Sequence, residues 1–193
     1  MTLPIPHLAL SHGQVLWCLA GGEEPNDLLI SRVRYLRQLG IPFGDGKTGG
    51  GRGVRVSYDF DQFLELAVAW QALRQRLEPR LLNRLPEARR TIRSQLRKAY
   101  RELAEHPENF ECVTRVPGVF DPERYLCFAD RFSEDPGAIQ FKEPEASKDY
   151  RVGDLVHKAI DGSEGIAIPL KSLVSWQISL AKVAPPTRPG PKY

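Results

Sequence analysis

Two breaks govern what this chain can fold into. Gly21-Gly22 and Gly40-Ile41-Pro42 each stop a helix, and between them LLISRVRYLRQLG is left as one short helix ending near Leu39. Directly behind it comes GDGKTGGGRG, residues 44–53, a glycine-rich basic loop. Gly44, Gly46 and Gly49 fall on the spacing G-x-G-x-x-G, and Gly46-Lys47-Thr48 reads like the end of a P-loop. Both phosphate motifs need a strand in front and a helix behind, so that backbone N–H groups and a helix N-terminus converge on the anion. Here a helix precedes the glycines, and VRVSY, which alternates like a strand, follows them. The leading glycine of a P-loop is also missing, since that position is Ile41. Nucleotide binding is set aside, and the order helix, basic glycine loop, strand, helix needs another explanation.

The flanking segments extend that order. Ser11 with Gln14 forms a capping box that starts a helix over about residues 12–20, and Asn26 or Asp27 caps the next. Leu29, Val33, Leu36 and Leu39 or Gly40 give the second helix one apolar face. VRVSY reads as the return strand of a hairpin, and Asp59 with Gln62 caps FLELAVAWQALRQRL, whose expected core face is Phe63, Leu66, Ala67, Trp70 and Leu73. After a break at Glu78-Pro79, Pro86 opens a long helix. Leu85, Ile92 and Ala99 recur every seven residues there, as do Arg89, Leu96 and Leu103, an apolar seam interrupted at Arg89. Such a seam suits pairing of two chains, although a core-facing helix shows nearly the same pattern. The opposite face carries Arg90, Arg93, Arg97, Lys98 and Arg101, a candidate surface for phosphates. Beyond residue 107, ECVTRV, RYLCFADRF, AIQF and GIAIPL read as short strands around a helix near 153–159, and LKSLVSWQISLAK fits helix or strand. The expected class is mainly α with small β content (α+β). Its divisions are an N-terminal domain (1–78), a helical dimerisation element (79–106), a small acidic strand-rich extension (107–184) and a Pro-rich tail (185–193).

Composition excludes several functions. With 41% hydrophobic and 26% charged residues the chain reads as soluble and globular, and no apolar run approaches the roughly 18 residues of a membrane span. MTLPIPHLAL lacks the charged region and cleavage site of an export signal, which points to the cytoplasm. Cys18, Cys112 and Cys127 form no C-x-x-C pair, and His7, His12, His106 and His157 no ligand cluster, so neither metal nor cofactor is expected. Asp130, Asp149, Asp154 and His157 define no nucleophile and base, and an enzyme is not expected. The net charge of +3 hides a segregation: residues 28–104 hold 16 Lys and Arg against 7 Asp and Glu, whereas 105–164 hold 7 against 14. A polyanion is the natural partner of the basic part.

Helix, turn, helix, basic loop and helix together describe a winged helix-turn-helix. In the second helix Ser31, Arg32, Arg34, Tyr35, Arg37 and Gln38 face outward, and in the wing Lys47, Arg52 and Arg55 sit where glycine lets backbone approach a duplex. Val33-Arg34-Tyr35-Leu36-Arg37-Gln38-Leu39-Gly40-Ile41 resembles the L-R-Y-Y-E-x-x-G-L pattern of the MerR family of bacterial transcription regulators. Arg55, Tyr58, Asp59 and Asp61 are similar to that family's wing end and acidic helix start; the likeness covers about residues 12–80. The resemblance implies phosphate contacts from Arg34 and Tyr35, a wing contact from Arg55 and a homodimer on double-stranded DNA. Leu36 and Arg37 replace an aromatic and an acid, and no cysteines stand where the metal-sensing members have theirs. Base selection is assigned to the start of the second helix, at Asn26, Ser31 and Arg32. The expected function is sequence-specific DNA binding in transcription regulation, with an unknown protein or small molecule as a further partner of the C-terminal region. The alternative is a protein-interaction or architectural module whose acidic region masks the basic domain.

Overall fold

The computed structural model describes residues 5–44, 56–75, 77, 82, 85–110, 125–128, 139–142 and 166–186. Its elements are β1 (Leu10–Ser11), α1 (His12–Leu19), α2 (Asp27–Gln38), β2 (Ser57–Tyr58), α3 (Phe60–Arg74), α4 (Leu85–Ala104), a 3-10 turn (Pro107–Phe110), β3 (Tyr125–Phe128), β4 (Ile139–Lys142), β5 (Ile166–Pro169) and α5 (Leu170–Val183). The described residues are mainly helical with two small antiparallel sheets, an α+β class.

Local side-chain chemistry starts the first three helices. Ser11 and Gln14 close a reciprocal capping box at α1, and Asp59 and Gln62 do the same at α3. The Asn26 Oδ1 atom accepts the Leu29 N–H at 2.9 Å, so Asn26 is the cap of α2. That helix ends at Gly40, whose φ of 79° is the left-handed value that lets the chain turn away. β2 pairs with β1, Leu10 opposite Tyr58 and Ser11 opposite Ser57, and so ties the strand after the glycine loop to the start of α1. The expected hairpin partner falls within residues 45–55, outside the described residues, as do the break at Glu78-Pro79, the helix near 153–159 and the tail from 187.

The long helices depart from the expected patterns. α3 is enclosed on every side rather than on one face: Phe60, Phe63, Leu64, Leu66, Ala67, Val68, Ala69 and Ala72 are all buried, while Trp70 and Leu73 sit at its margin. α1, α2, α4 and α5 all pack around it, and Trp70 Nε1 donates to the Leu19 carbonyl at 3.1 Å. The apolar seam of α4 is also spent inside the chain. Leu85, Ile92, Leu96, Ala99 and Leu103 are at most 2% exposed, and α4 is covered by α5 and α3. The spacing that suggested pairing of two chains is that of a core-facing helix.

α5 resolves the ambiguous C-terminal segment as a helix. Ser175 donates to the Asn109 carbonyl, and the single Ser179 O–H is shared between the Phe110 and Ser175 carbonyls, each 2.8 Å from its Oγ. These hydroxyls find acceptors inside the protein, so the polar positions that mimic strand alternation are buried with the apolar ones. Lys171, also buried, meets Glu102 at 2.9 Å. Leu126, Ile168, Leu170, Val174, Ile178 and Leu180 share one core with Val15, Leu36 and Phe63. The described core therefore runs across the boundary expected near residue 107. Leu96→Ala should lower stability by about 2–5 kcal/mol in chemical denaturation with the native molecular mass unchanged in light scattering; loss of a dimer with little loss of stability would return the seam to an interface role.

Candidate nucleic-acid interface

α2 presents its residues in two sets. Leu29, Val33 and Leu36 are buried against the core, while Asn26, Asp27, Leu28, Ser31, Arg34 and Gln38 are exposed and Arg32 is half-buried. Neither Arg32 nor Arg34 has an ion-pair partner among the described residues. Ser31 Oγ donates to the Leu28 carbonyl at 2.9 Å, which leaves its lone pairs for a further donor. Leu28, 55% exposed at the start of the helix, was not singled out by sequence reasoning, and its signal was an apolar residue just off the buried stripe. Two further expected site residues are, like Arg32, half-buried. Tyr35 lies partly buried against the core, and the Arg37 guanidinium lies over the Phe43 ring, 5.9 Å from its centroid, turned toward the segment leading into the glycine loop. Lys47, Arg52 and Arg55 lie outside the described residues.

The root of that loop is fixed by a buried network. Glu65, on α3 and fully buried, accepts from Arg89 Nε and from Arg93 Nε, each at 2.8 Å. The same two arginines of α4 reach past it: Arg89 Nη2 donates to the Gly40 carbonyl at 2.7 Å and Arg93 Nη2 to the Pro42 carbonyl at 2.9 Å. Burial pushes the Glu65 carboxyl up in pKa, and the two guanidiniums oppose that shift. Gly44 completes the clamp. At φ 92° it turns the chain where a side chain is disfavoured, and a Cβ there would stand 3.3 Å from Arg89 Nη1. A second ion pair, Arg97 Nε to Asp61 Oδ1 at 2.9 Å with Arg97 Nη2 on Asp61 Oδ2, joins α4 to the first turn of α3. Arg93 and Arg97, expected on a phosphate-facing surface, are thus engaged by carboxylates of their own chain.

The far end of the loop is held as firmly. Tyr58, fully buried, hydrogen-bonds His12 Nδ1 at 2.9 Å and packs against Phe43 with ring centroids 5.1 Å apart. Burial and the nearby Arg37 charge lower the His12 pKa to about 4, and burial pushes Tyr58 up to about 12. Tyr58 and Asp59 serve here as an anchor and a helix cap. Cys18 is buried and its thiol is pushed up to about 12 by burial, a state of low reactivity. Among the described residues no cluster of His, Cys, Asp and Glu could hold a metal ion, and no helix is long and apolar enough to cross a membrane.

Comparison with protein-family models, curated proteins and solved structures finds no match to this chain.

Glu65→Ala leaves two guanidiniums facing no anion, and because Arg89 and Arg93 keep 20% and 25% side-chain exposure the cost in urea denaturation should fall at the low end of the usual range, about 3 kcal/mol. For His12, the unfolded chain takes up a proton near pH 6.5 while the folded chain resists it until about pH 4. The His12 contribution to stability should therefore be flat above pH 7.5 and fall between pH 6.5 and 5 by roughly 1–2 kcal/mol, and His12→Asn should remove that fall relative to the wild type; an equal profile in the variant would rule His12 out as its source.

Proposed function

We propose that the protein binds double-stranded DNA sequence-specifically through a winged helix-turn-helix, with α2 as recognition helix and residues 44–55 as wing, and regulates transcription in the cytoplasm. The observation that carries this reading is the division of its cations. Arg89, Arg93 and Arg97 neutralise buried carboxylates, and the first two also fix the loop root, whereas Arg32 and Arg34 are left without carboxylates on the outward side of α2. A helix packed by Leu29, Val33 and Leu36 and followed by a clamped turn holds those cations in fixed directions, as recognition of a regular phosphate lattice requires. The resemblance of residues 33–41 to the MerR pattern points the same way.

Phosphate contacts come from Arg34 and from the wing cations Lys47, Arg52 and Arg55, and base contacts from Ser31 and Arg32. Leu28 suits apolar contact with a thymine methyl group. Asn26 contributes through its cap, which sets where the helix begins, and Tyr35 and Arg37 through the packing of α2 and the loop root. Binding is as a homodimer on an inverted repeat, joined through a surface other than the covered seam of α4. Arg34→Ala should weaken binding across sequences and reduce the slope of log K against log salt by about 0.9, with the thermal unfolding curve unchanged. An unchanged slope in a folded variant removes Arg34 from the interface.

A further inference from the structure

α4 carries a second cationic surface that the winged-helix reading leaves unused. At 100° per residue, the side of α4 opposite its buried seam is the ridge of Arg90, Ser94, Arg97 and Arg101. Arg90 and Arg101 are exposed with no ion-pair partner among the described residues. Arg97 shares Asp61 yet keeps 48% of its side chain exposed. Lys98 is exposed beside the ridge, and Glu87 and Glu105 bound it at either end.

The position of this ridge is fixed by bonds already described. Arg89 and Arg93, a quarter-turn round the same helix, donate to the Gly40 and Pro42 carbonyls at the base of the glycine loop. The ridge therefore starts at the wing root and runs away from it for eleven residues, about 16 Å at 1.5 Å per residue. That length corresponds to about five base pairs at 3.4 Å each. Arg90 and Arg101 carry the planar, weakly hydrated guanidinium that suits bidentate contact with phosphate, and Arg97, whose Nε and Nη2 face Asp61, adds its half-exposed charge between them.

We infer that the Arg90–Arg97–Arg101 ridge of α4 binds the sugar–phosphate backbone of DNA flanking the wing, lengthening the footprint by about five base pairs. The inference rests on the DNA-binding reading. Its occupant is set by charge complementarity to an extended polyanion, and its contribution is independent of sequence, because phosphates carry no base information.

The test compares the full-length protein with Arg90→Gln/Arg101→Gln on two duplexes, one ending at the selected binding motif and one extended by about five base pairs at each end. Both replaced residues are exposed and unpaired among the described residues, so the double variant should melt like the wild type. On the long duplex the double variant should lose about 1.8 from its salt slope and bind at least tenfold more weakly at low salt, while on the short duplex the two proteins should agree. Arg90→Lys/Arg101→Lys, which keeps the charge, should recover the slope. Equal slopes on the long duplex, or the same loss on both duplexes, would overturn the flanking contact while leaving DNA binding by α2 intact. Failure of the wild type to bind either duplex would remove the winged-helix reading and this inference together.

Discussion

The fully buried carboxylate of Glu65 is the constraint on which the rest of the structure depends. A lone charge in a core is expensive to desolvate, so the fold has to bring cations to it. It brings two, both from α4, and each guanidinium uses its remaining N–H groups on backbone carbonyls just beyond α2. One fully buried acidic residue of α3 thereby fixes the relation of α3, α4 and the turn that leads from α2 into the glycine loop. Apolar replacements of buried ion pairs often match their stability, but here such a replacement would release the carbonyls of Gly40 and Pro42. The network's distinctive effect is on geometry.

The second organising fact is that the helical unit is not closed by its own N-terminal residues. α3 needs a neighbour on every side, and α5, nearly seventy residues beyond α4, supplies one by packing against α1, α3 and α4. Its buried Ser175 and Ser179 are satisfied by the carbonyls of Asn109 and Phe110 in the 3-10 turn that follows α4, so the helix is seated by directed bonds as well as by Leu170, Val174 and Ile178. The N-terminal basic elements and the C-terminal helix share a single core, and the surface left to α2 is what that packing does not cover.

Much of the fold was legible where the determining chemistry is local. The caps at Ser11, Asn26 and Asp59 depend on a side chain and an N–H three residues away, and the buried stripe of α2 on a period of 3.6. What was not legible depends on partners distant in sequence. Arg89 visibly breaks the seam of α4 and Glu65 the apolar run of α3, yet the two breaks are 24 residues apart and only the fold shows that they answer each other. The seam itself could not reveal whether a second chain or α5 would cover it. VSWQISL looked like a strand because burial on all sides of α5 erases helical periodicity. Of the candidate interface, the exposure of Ser31 and Arg34 follows from the period of α2; the placement of Arg37 over Phe43 does not, because it depends on how the chain turns after Gly40.

The most direct test of the central claim is selection from a pool of random duplex DNA by the purified full-length protein at two salt concentrations, with sequencing of what is retained. The account predicts an enriched motif, arranged as an inverted repeat, whose retention falls steeply as salt rises, because Arg and Lys contacts to phosphate supply most of the affinity. Absence of retention at low salt would contradict it, and the outward cations of α2 would then require a partner other than DNA.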